Sequence, residues 1–281
     1  MQNPIFPPGH FYSPIVNTDD LAAEEGQRLW SPRSDCPGID FGRTRQAEIL
    51  QQWFPQFIAD YDYPDEGDPS VPAGFFNNND QFGVLDAPTL FVFLRKLRPK
   101  RVIEIGSGFS SLLIADVNER FLEGSCEFTC IEPYPRNFLR QGVRGISRLL
   151  VERVQRVDPQ EFKQLAAGDI LFIDSSHVSK TGSDVNFLFF EILPLLKPGV
   201  LVHVHDIFLP LEYPRQWVIG DNRSWNEQYV LQALLMYSTR FQIMFGCAYA
   251  ASQLGHLVVA ALARADGHGM GGGSLWLEVQ S

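Results

Sequence analysis

The stretch Arg101-Val-Ile-Glu-Ile-Gly-Ser-Gly-Phe-Ser-Ser111 decides how this chain is read. A short, largely apolar run, Arg101 to Ile105, passes without alternation into Gly106-Ser107-Gly108, and Ser110 to Phe121 follows as a helix candidate. A run of this kind predicts a strand covered on both faces, the environment of a parallel sheet. Two glycines directly after it predict a tight turn where backbone can approach a ligand, beside a helix whose first N–H groups lack partners. A dinucleotide fingerprint would set a glycine at position 111, where this chain has Ser111. The turn reads either as a plain strand-to-helix connection or as part of a nucleoside-type site.

Outward from that turn the same alternation repeats. Strands are predicted over Glu127 to Ile131, Leu149 to Val157, Asp169 to Ile173 and Val200 to Val204. Helices are predicted over Ala87 to Leu97, Asn137 to Gly142, Pro159 to Ala166, Ser183 to Leu196 and Asn226 to Tyr237. Phe241 to Phe245 and Leu275 to Val279 close the pattern as a hairpin-like antiparallel edge, with Gly267 to Gly273 as a flexible connection. The fold class is therefore α/β, a doubly wound, mostly parallel seven-stranded sheet. In such sheets the ligand lies beyond the carboxyl ends of the strands, so Gly106 to Gly108, Glu132, Asp174 and His205-Asp206 are expected on one rim.

Residues 1–85 differ in character. Ten of the 19 prolines fall before residue 75, a helical pattern runs from Thr44 to Asp60, and Phe75 to Asp80 reads as an exposed aromatic loop. This part is expected to be a partly helical N-terminal extension that covers the substrate, with the main domain over 86–281.

Composition narrows the function. The chain has 281 residues, 45% hydrophobic and 20% charged, with a formal net charge of −10. That is an ordinary globular protein without the clustered Lys and Arg that hold nucleic acid. Four cysteines do not make a disulfide framework, and Cys126 and Cys130 lack zinc-site spacing. Met1 to Asn17 has no basic, apolar leader, and Val185 to His205 is interrupted by Glu191, Pro194 and Lys197-Pro198-Gly199. No membrane insertion and a cytoplasmic location are expected. No sequence signal bears on the oligomeric state.

Glu132 follows Gly108 by 24 residues, at the end of the next strand. A carboxylate at that point can accept both hydroxyls of a ribose. Val102-Ile-Glu-Ile-Gly-Ser-Gly108, Ile131-Glu132, Asp169-Ile-Leu-Phe-Ile-Asp174 and Leu196-Lys-Pro-Gly-Val200 together resemble, in order and spacing, the motifs of class I S-adenosylmethionine-dependent methyltransferases, over about residues 85–245. The resemblance implies a Rossmann-like methyltransferase fold, S-adenosylmethionine as cofactor and S-adenosylhomocysteine as product. By position it implies that Glu104, Gly106, Ser107 and Gly108 line the methionine end, Glu132 binds the ribose, Asp158 lies near the adenine, and Asp174 faces the transfer centre. Asp174-Ser-Ser-His177 resembles, more narrowly, a small-molecule subgroup with Asp-Ser/Gly-x-His after the fourth strand.

Transfer to a hydroxyl removes a proton from the attacking oxygen, and a histidine titrating near neutrality suits that task. His177 is the first candidate base, though it equally suits a loop-ordering role; His205 competes, and His203 reads as a core histidine. Catechol-type O-methyltransferases hold magnesium with an acid after the fourth strand and an Asp-Asn or Asp-Asp pair after the fifth. Here Asp206 is followed by Ile207, so no metal is expected unless Glu227 or Asp184 comes close. The tetrad of amino-group nucleic-acid methyltransferases is missing after the fourth strand; Glu132-Pro-Tyr-Pro135 is similar but follows the second. Phe208 to Arg215, with Trp217, Arg223 and Trp225, overhangs the rim as a lid or a packed loop. The expected activity is O-methylation of a small-molecule acceptor, a glycan or secondary metabolite. Alternatives are other chemistry in the same nucleoside site, such as aminopropyl transfer or metal-assisted hydroxylation, or a non-catalytic cofactor-binding subunit.

Overall fold

Neighbouring residues within a strand fill two different apolar layers, which is why the strands show no polar alternation. Val102, Phe128, Ile170, Phe172 and Leu201 are buried on one face, with Phe91 and Phe93 of the Asp86–Leu97 helix and Leu113 of the Phe109–Phe121 helix. Ile103, Ile131, Leu171, Ile173 and Val202 are buried on the other, against Phe162, Leu188, Ile192 and Leu231. The computed structural model describes residues 5–22, 24–72, 74–262 and 271–281. Its strands are β1 (Arg101–Ile105), β2 (Glu127–Ile131), β3 (Arg148–Leu150), β4 (Ile170–Ile173), β5 (Leu201–Val204), β6 (Phe241–Gly246) and β7 (Leu275–Val279). They form one seven-stranded sheet in the order β3-β2-β1-β4-β5-β7-β6. The first five pair in parallel, and β7 runs antiparallel between β5 and β6. No helix among the described residues is long and apolar enough to cross a membrane.

Several sequence expectations need correction. The third strand is three residues long rather than nine, and a 3₁₀ turn over Val154–Arg156 takes up the rest. The helix after the fourth strand is an α-turn, Asp184–Phe187, continued by a π-turn over Leu188–Ile192 and a 3₁₀ turn over Leu193–Leu195. Pro194, which offers no N–H, sits where the ladder tightens. Strands β6 and β7 are antiparallel neighbours but not a simple hairpin, because helices Cys247–Gln253 and Gly255–Leu262 lie between them. Most of Gly267 to Gly273 lies outside the described residues. Its last glycines are tightly held: Gly273 N donates to Asp86 Oδ2 at 3.1 Å, and Gly273 O accepts from Ile207 N at 2.8 Å.

Phe75 to Asp80 is not an exposed aromatic loop. Phe75 and Phe76 are buried, packed edge-on against Tyr63 and Phe109. The buried Asn79 amide donates to Phe76 O and Phe82 O, so the polar run scaffolds the turn from inside. Ile49, Leu50 and Phe54 enter the same apolar layer as β1 and β2. At the sheet margin, Gln46 Oε1 accepts from Gly246 N at 3.0 Å, and Arg45 pairs with Glu278 at 2.7 Å.

The tightest approach in the sheet lies just past β1. Gly106 has φ +79°, and a Cβ there would stand 1.7 Å from the carbonyl oxygen of Asp174. Only glycine tolerates both the left-handed backbone and the contact. Gly106→Ala is expected to lower stability by about 2 kcal/mol or more, read as a shifted urea midpoint at unchanged slope.

Candidate active site

Two connected cavities open at the carboxyl ends of the parallel strands. The first, about 550 Å³, is walled by Glu132, Tyr134, Arg153, Val154, Gln155 and Lys180. The second, about 580 Å³, lies between the glycine turn and the loops carrying Gln81-Phe82, His177, His205-Asp206, Trp217 and Trp225. They share Gly106, Glu132, Asp174, Ser175 and Ser176. The geometry follows from the strands: Gly106 N donates to Ile131 O, Asp174 N to Ile105 O and His205 N to Ile173 O, which sets the ends of β2, β1, β4 and β5 level.

Gly106, Ser107, Gly108, Glu132, Asp174, His177 and His205 all border the second cavity. Glu104 and Asp158 do not reach either cavity. Glu104 is wholly buried beneath the turn, where it accepts from Ser110 Oγ at 2.7 Å, Ser111 Oγ at 2.5 Å and the Cys130 thiol. Ser111 Oγ also accepts from Gly108 N at 2.9 Å, so the acid buttresses the turn rather than touching a ligand. Burial pushes the Glu104 carboxyl up to about 7, against the pull of the serine hydroxyls. Asp158 is exposed and caps the Pro159–Lys163 helix through Gln160 N. Its place at the first cavity is taken by Val154 and Gln155, because β3 ends early.

The floor of the second cavity is a buried ladder of acids and imidazoles. His177 Nδ1 lies 2.9 Å from Glu227 Oε2, and its Nε2 lies 3.4 Å from Asp174 Oδ1 and 3.3 Å from Asp206 Oδ2. His205 Nδ1 lies 3.5 Å from Asp174 Oδ1 and 3.7 Å from Asp206 Oδ1, and its Nε2 lies 3.6 Å from Asp86 Oδ2. Burial pushes the His177 imidazole down, but the hydrogen bonds to Asp174 and Glu227 outweigh it and raise the pKa to about 10. Burial likewise opposes the charge on His205, and the carboxylates of Asp206, Asp174 and Asp86 hold it well above the usual range. Against its own burial, Asp174 is held far below the ordinary carboxylate range by the two histidines. The surrounding carboxylates favour the protonated form of both histidines, where the sequence suggested a base titrating near neutrality. His203 is neutral: burial lowers it, and its Nε2 meets Ser274 Oγ at 2.8 Å inside the core.

Two further positions hold backbone strain. His177 and Asp206 have φ of +60° and +57°, a conformation that costs non-glycine residues energy. Each is anchored at a strand-end loop and bears a side chain that faces the other.

Asp86, which carries one end of the ladder, has no signature in the sequence as a site residue, and Glu227, at the other end, reads there only as a possible metal ligand. Each is the first residue of a helix, and nothing in its spacing from His205 or His177 reveals the contact. The oxygens of Glu227 are taken by His177 and by Ser175 Oγ at 3.0 Å. Asp184, the other such candidate, is taken by Ser176. Asp174, His177 and Asp206 do bring one ligand atom each to within 4.8 Å of one another, so they are the group that could hold a cation.

Residues 103–207 match the sequence profile of a family described as a methyltransferase domain. The seven-stranded sheet, with its antiparallel β7 between β5 and β6, has the class I methyltransferase α/β fold. An uncharacterized protein of Archaeoglobus fulgidus is 38% identical over 165 residues, covering 57% of this chain and 74% of that protein, and the chain belongs to its family. Among solved structures, a putative methyltransferase from Thermobifida fusca aligns at TM-score 0.45 and 10% identity, over 69% of this chain and 79% of that one. An O-methyltransferase from Bacillus cereus in complex with SAH aligns at TM-score 0.41 and 14% identity, over 94% of this chain and all (100%) of that one.

The proton balance of the site gives a pH signature. His177 rises from an ordinary 6.5 to about 10, so its stabilisation is complete below pH 6.5 and is lost as pH climbs through about 10. Glu104 rises from 4.5 to about 7, so the cost of its charge is absent below pH 4.5 and grows until about pH 7. Urea unfolding across pH is expected to show the stability lead of wild type over His177→Gln shrinking in the upper window. Relative to Glu104→Gln, wild type is expected to lose ground in the lower one.

Proposed function

We propose that this protein transfers the methyl group of S-adenosylmethionine to a small-molecule acceptor, most naturally to a hydroxyl oxygen. The observation that carries this reading is the junction of the two cavities over Gly106, with Glu132 on one side and the Asp174–His177 cluster on the other. The first cavity takes the adenosine, with the ribose hydroxyls on Glu132. The methionine portion runs along Ser107 to Ser110, where the Phe109–Phe121 helix begins and its N-terminal dipole favours a carboxylate. Asp174, which borders both cavities, would then lie beside the sulfonium, with the acceptor side of the transfer in the second cavity.

Catalysis is mainly alignment: the acceptor oxygen attacks the methyl carbon in line with the departing sulfur, a C–O bond forms, and the C–S electron pair returns to sulfur. Asp80, Gln81 and Phe82 from one side, and Trp217, Arg223 and Trp225 from the other, enclose the acceptor, so residues before 86 act as part of the substrate cover. The hydroxyl proton goes to His177, or failing it His205. Arrival of a sulfonium cation beside Asp174 adds positive charge to the ladder and drives the imidazolium pKa down. His177 would then release its Nε2 proton to solvent as the cofactor binds, which leaves that nitrogen able to take the hydroxyl proton.

A second reading has its own observation, the Asp174, His177 and Asp206 group. A divalent cation there would lower the hydroxyl pKa directly. It would compete with the proton on His177 Nε2, so titration with magnesium, manganese or zinc is expected to release a proton to the buffer if the cluster binds metal; heat that is independent of buffer ionisation enthalpy excludes this mode.

Calorimetric titration of S-adenosylmethionine and S-adenosylhomocysteine, with NAD as control, tests the main reading. Micromolar binding of both is expected, with NAD silent. Glu132→Ala, which removes a charged acceptor of two hydroxyls, is expected to weaken binding by about 10- to 100-fold. Folded wild type that binds neither ligand would end the methyltransferase reading.

A further inference from the structure

Asp86 and Glu227 occupy equivalent places in two unrelated helices. Each is the first residue of its helix, each is buried, and each faces one histidine of the cavity floor. They use opposite ring nitrogens, Nε2 of His205 and Nδ1 of His177. The contacts are not equal. The closest Asp86–His205 approach is 3.6 Å, beyond a good hydrogen bond, and the Asp86 oxygens already accept from Gly273 N and Ser274 N at 3.1 and 2.8 Å. Asp86 ties the helix to the strand-leading segment before β7, with His205 lying between it and Asp174.

Glu227 grips His177 from several directions. Its carboxylate meets Nδ1 at 2.9 Å, and Ser175 Oγ donates to it while accepting from His177 N at 3.2 Å. The His177 carbonyl accepts from the N–H groups of Asn226 and Glu227, and the Trp225 ring lies 4.4 Å from the imidazole. No Lys or Arg among the described residues is within ion-pair distance of Glu227, so His177 is its cationic partner. These contacts also sustain the left-handed backbone at His177.

We infer that Glu227 is a positioning residue of the transfer centre: it fixes His177 through Nδ1 and so holds Nε2 toward Asp174 and Asp206 on the cavity floor, where the acceptor oxygen would arrive, while His205 lies between Asp86 and Asp174. Holding one imidazole nitrogen with a carboxylate sets which nitrogen is free to handle a proton. The inference rests on the methyltransferase reading for what occupies the cavity.

Proton and nitrogen NMR of the full chain with isotope-labelled histidine tests it. A strongly downfield Nδ1–H resonance is expected in wild type, absent in His177→Gln, moved upfield in Glu227→Gln and lost in Glu227→Ala. Cooperative thermal unfolding of Glu227→Gln guards against a folding artefact. Exchanging S-adenosylhomocysteine for S-adenosylmethionine adds a cationic methyl group at the reacting position and is expected to shift the His177 Nε2 signal more than either His205 nitrogen. A downfield resonance that survives Glu227→Ala, or a Nε2 signal indifferent to the exchange when calorimetry shows both ligands bound, overturns the positioning role alone. Absence of binding to folded wild type overturns the methyltransferase reading, and the role at a transfer centre with it.

Discussion

The contact between Gly106 and the carbonyl of Asp174 is the constraint on which the rest of the site depends. Adjacent parallel strands end level, and the chain leaving β1 must turn across the end of β4 at a distance that admits no side chain. That crossing brings the glycine turn, Glu132 and Asp174 to one opening. It also sets Asp174 at the seam of both cavities, where a ligand spanning them has to pass. The Glu104 carboxylate beneath the turn, gripped by Ser110 and Ser111, resists a different distortion: it keeps the start of the Phe109–Phe121 helix in line with β1.

Charge is the second organising quantity. Asp86, Asp206 and Glu227 are buried and Asp174 stands beside them, part-exposed at the cavity wall, a concentration of charge that would be costly for bare carboxylates. Two imidazolium ions interleaved among them supply the compensation, and burial leaves Asp206 and Glu227 with raised proton affinity, against the opposing charge of the histidines. The titrations of these groups are therefore linked, each carboxylate favouring charge on the imidazoles beside it. A cationic ligand entering beside it exchanges for some of that positive charge.

Much of this was readable from residue order. The strand–glycine–helix unit at 101–121 and the acids at strand ends depend on local periodicity and on a topology rule, both of which act within a few residues. Strand-end residues Glu132, Asp174, His177, His205 and Asp206 come together as that rule requires. Asp158 failed because an edge strand has one pairing partner and stops early, so its end moves away from the rim. Glu104 failed for a different reason: alternation directs its side chain under the helix, not over the turn. Phe75 and Phe76 read as loop aromatics because the asparagines around them look like solvent contacts, whereas Asn79 bonds inward. Asp86, and the hold of Glu227 on His177, are not visible in the sequence, since the partners are distant along the chain and a helix-opening acid is ordinarily a dipole partner in solvent.

The hydrogen bond from Gly246 N to Gln46 and the pairing of Arg45 with Glu278 also answer a problem unrelated to chemistry. A sheet open at both sides offers unpaired backbone to any passing strand, including that of another copy. On the β6 side the Arg43–Glu48 helix lies against the margin and uses a side-chain amide to satisfy backbone there, with a charged residue beside it. On the β3 side the chain supplies three paired residues before leaving the sheet. The Arg43–Glu48 helix thus covers the β6 margin, and its loss would leave backbone there free to pair with another strand.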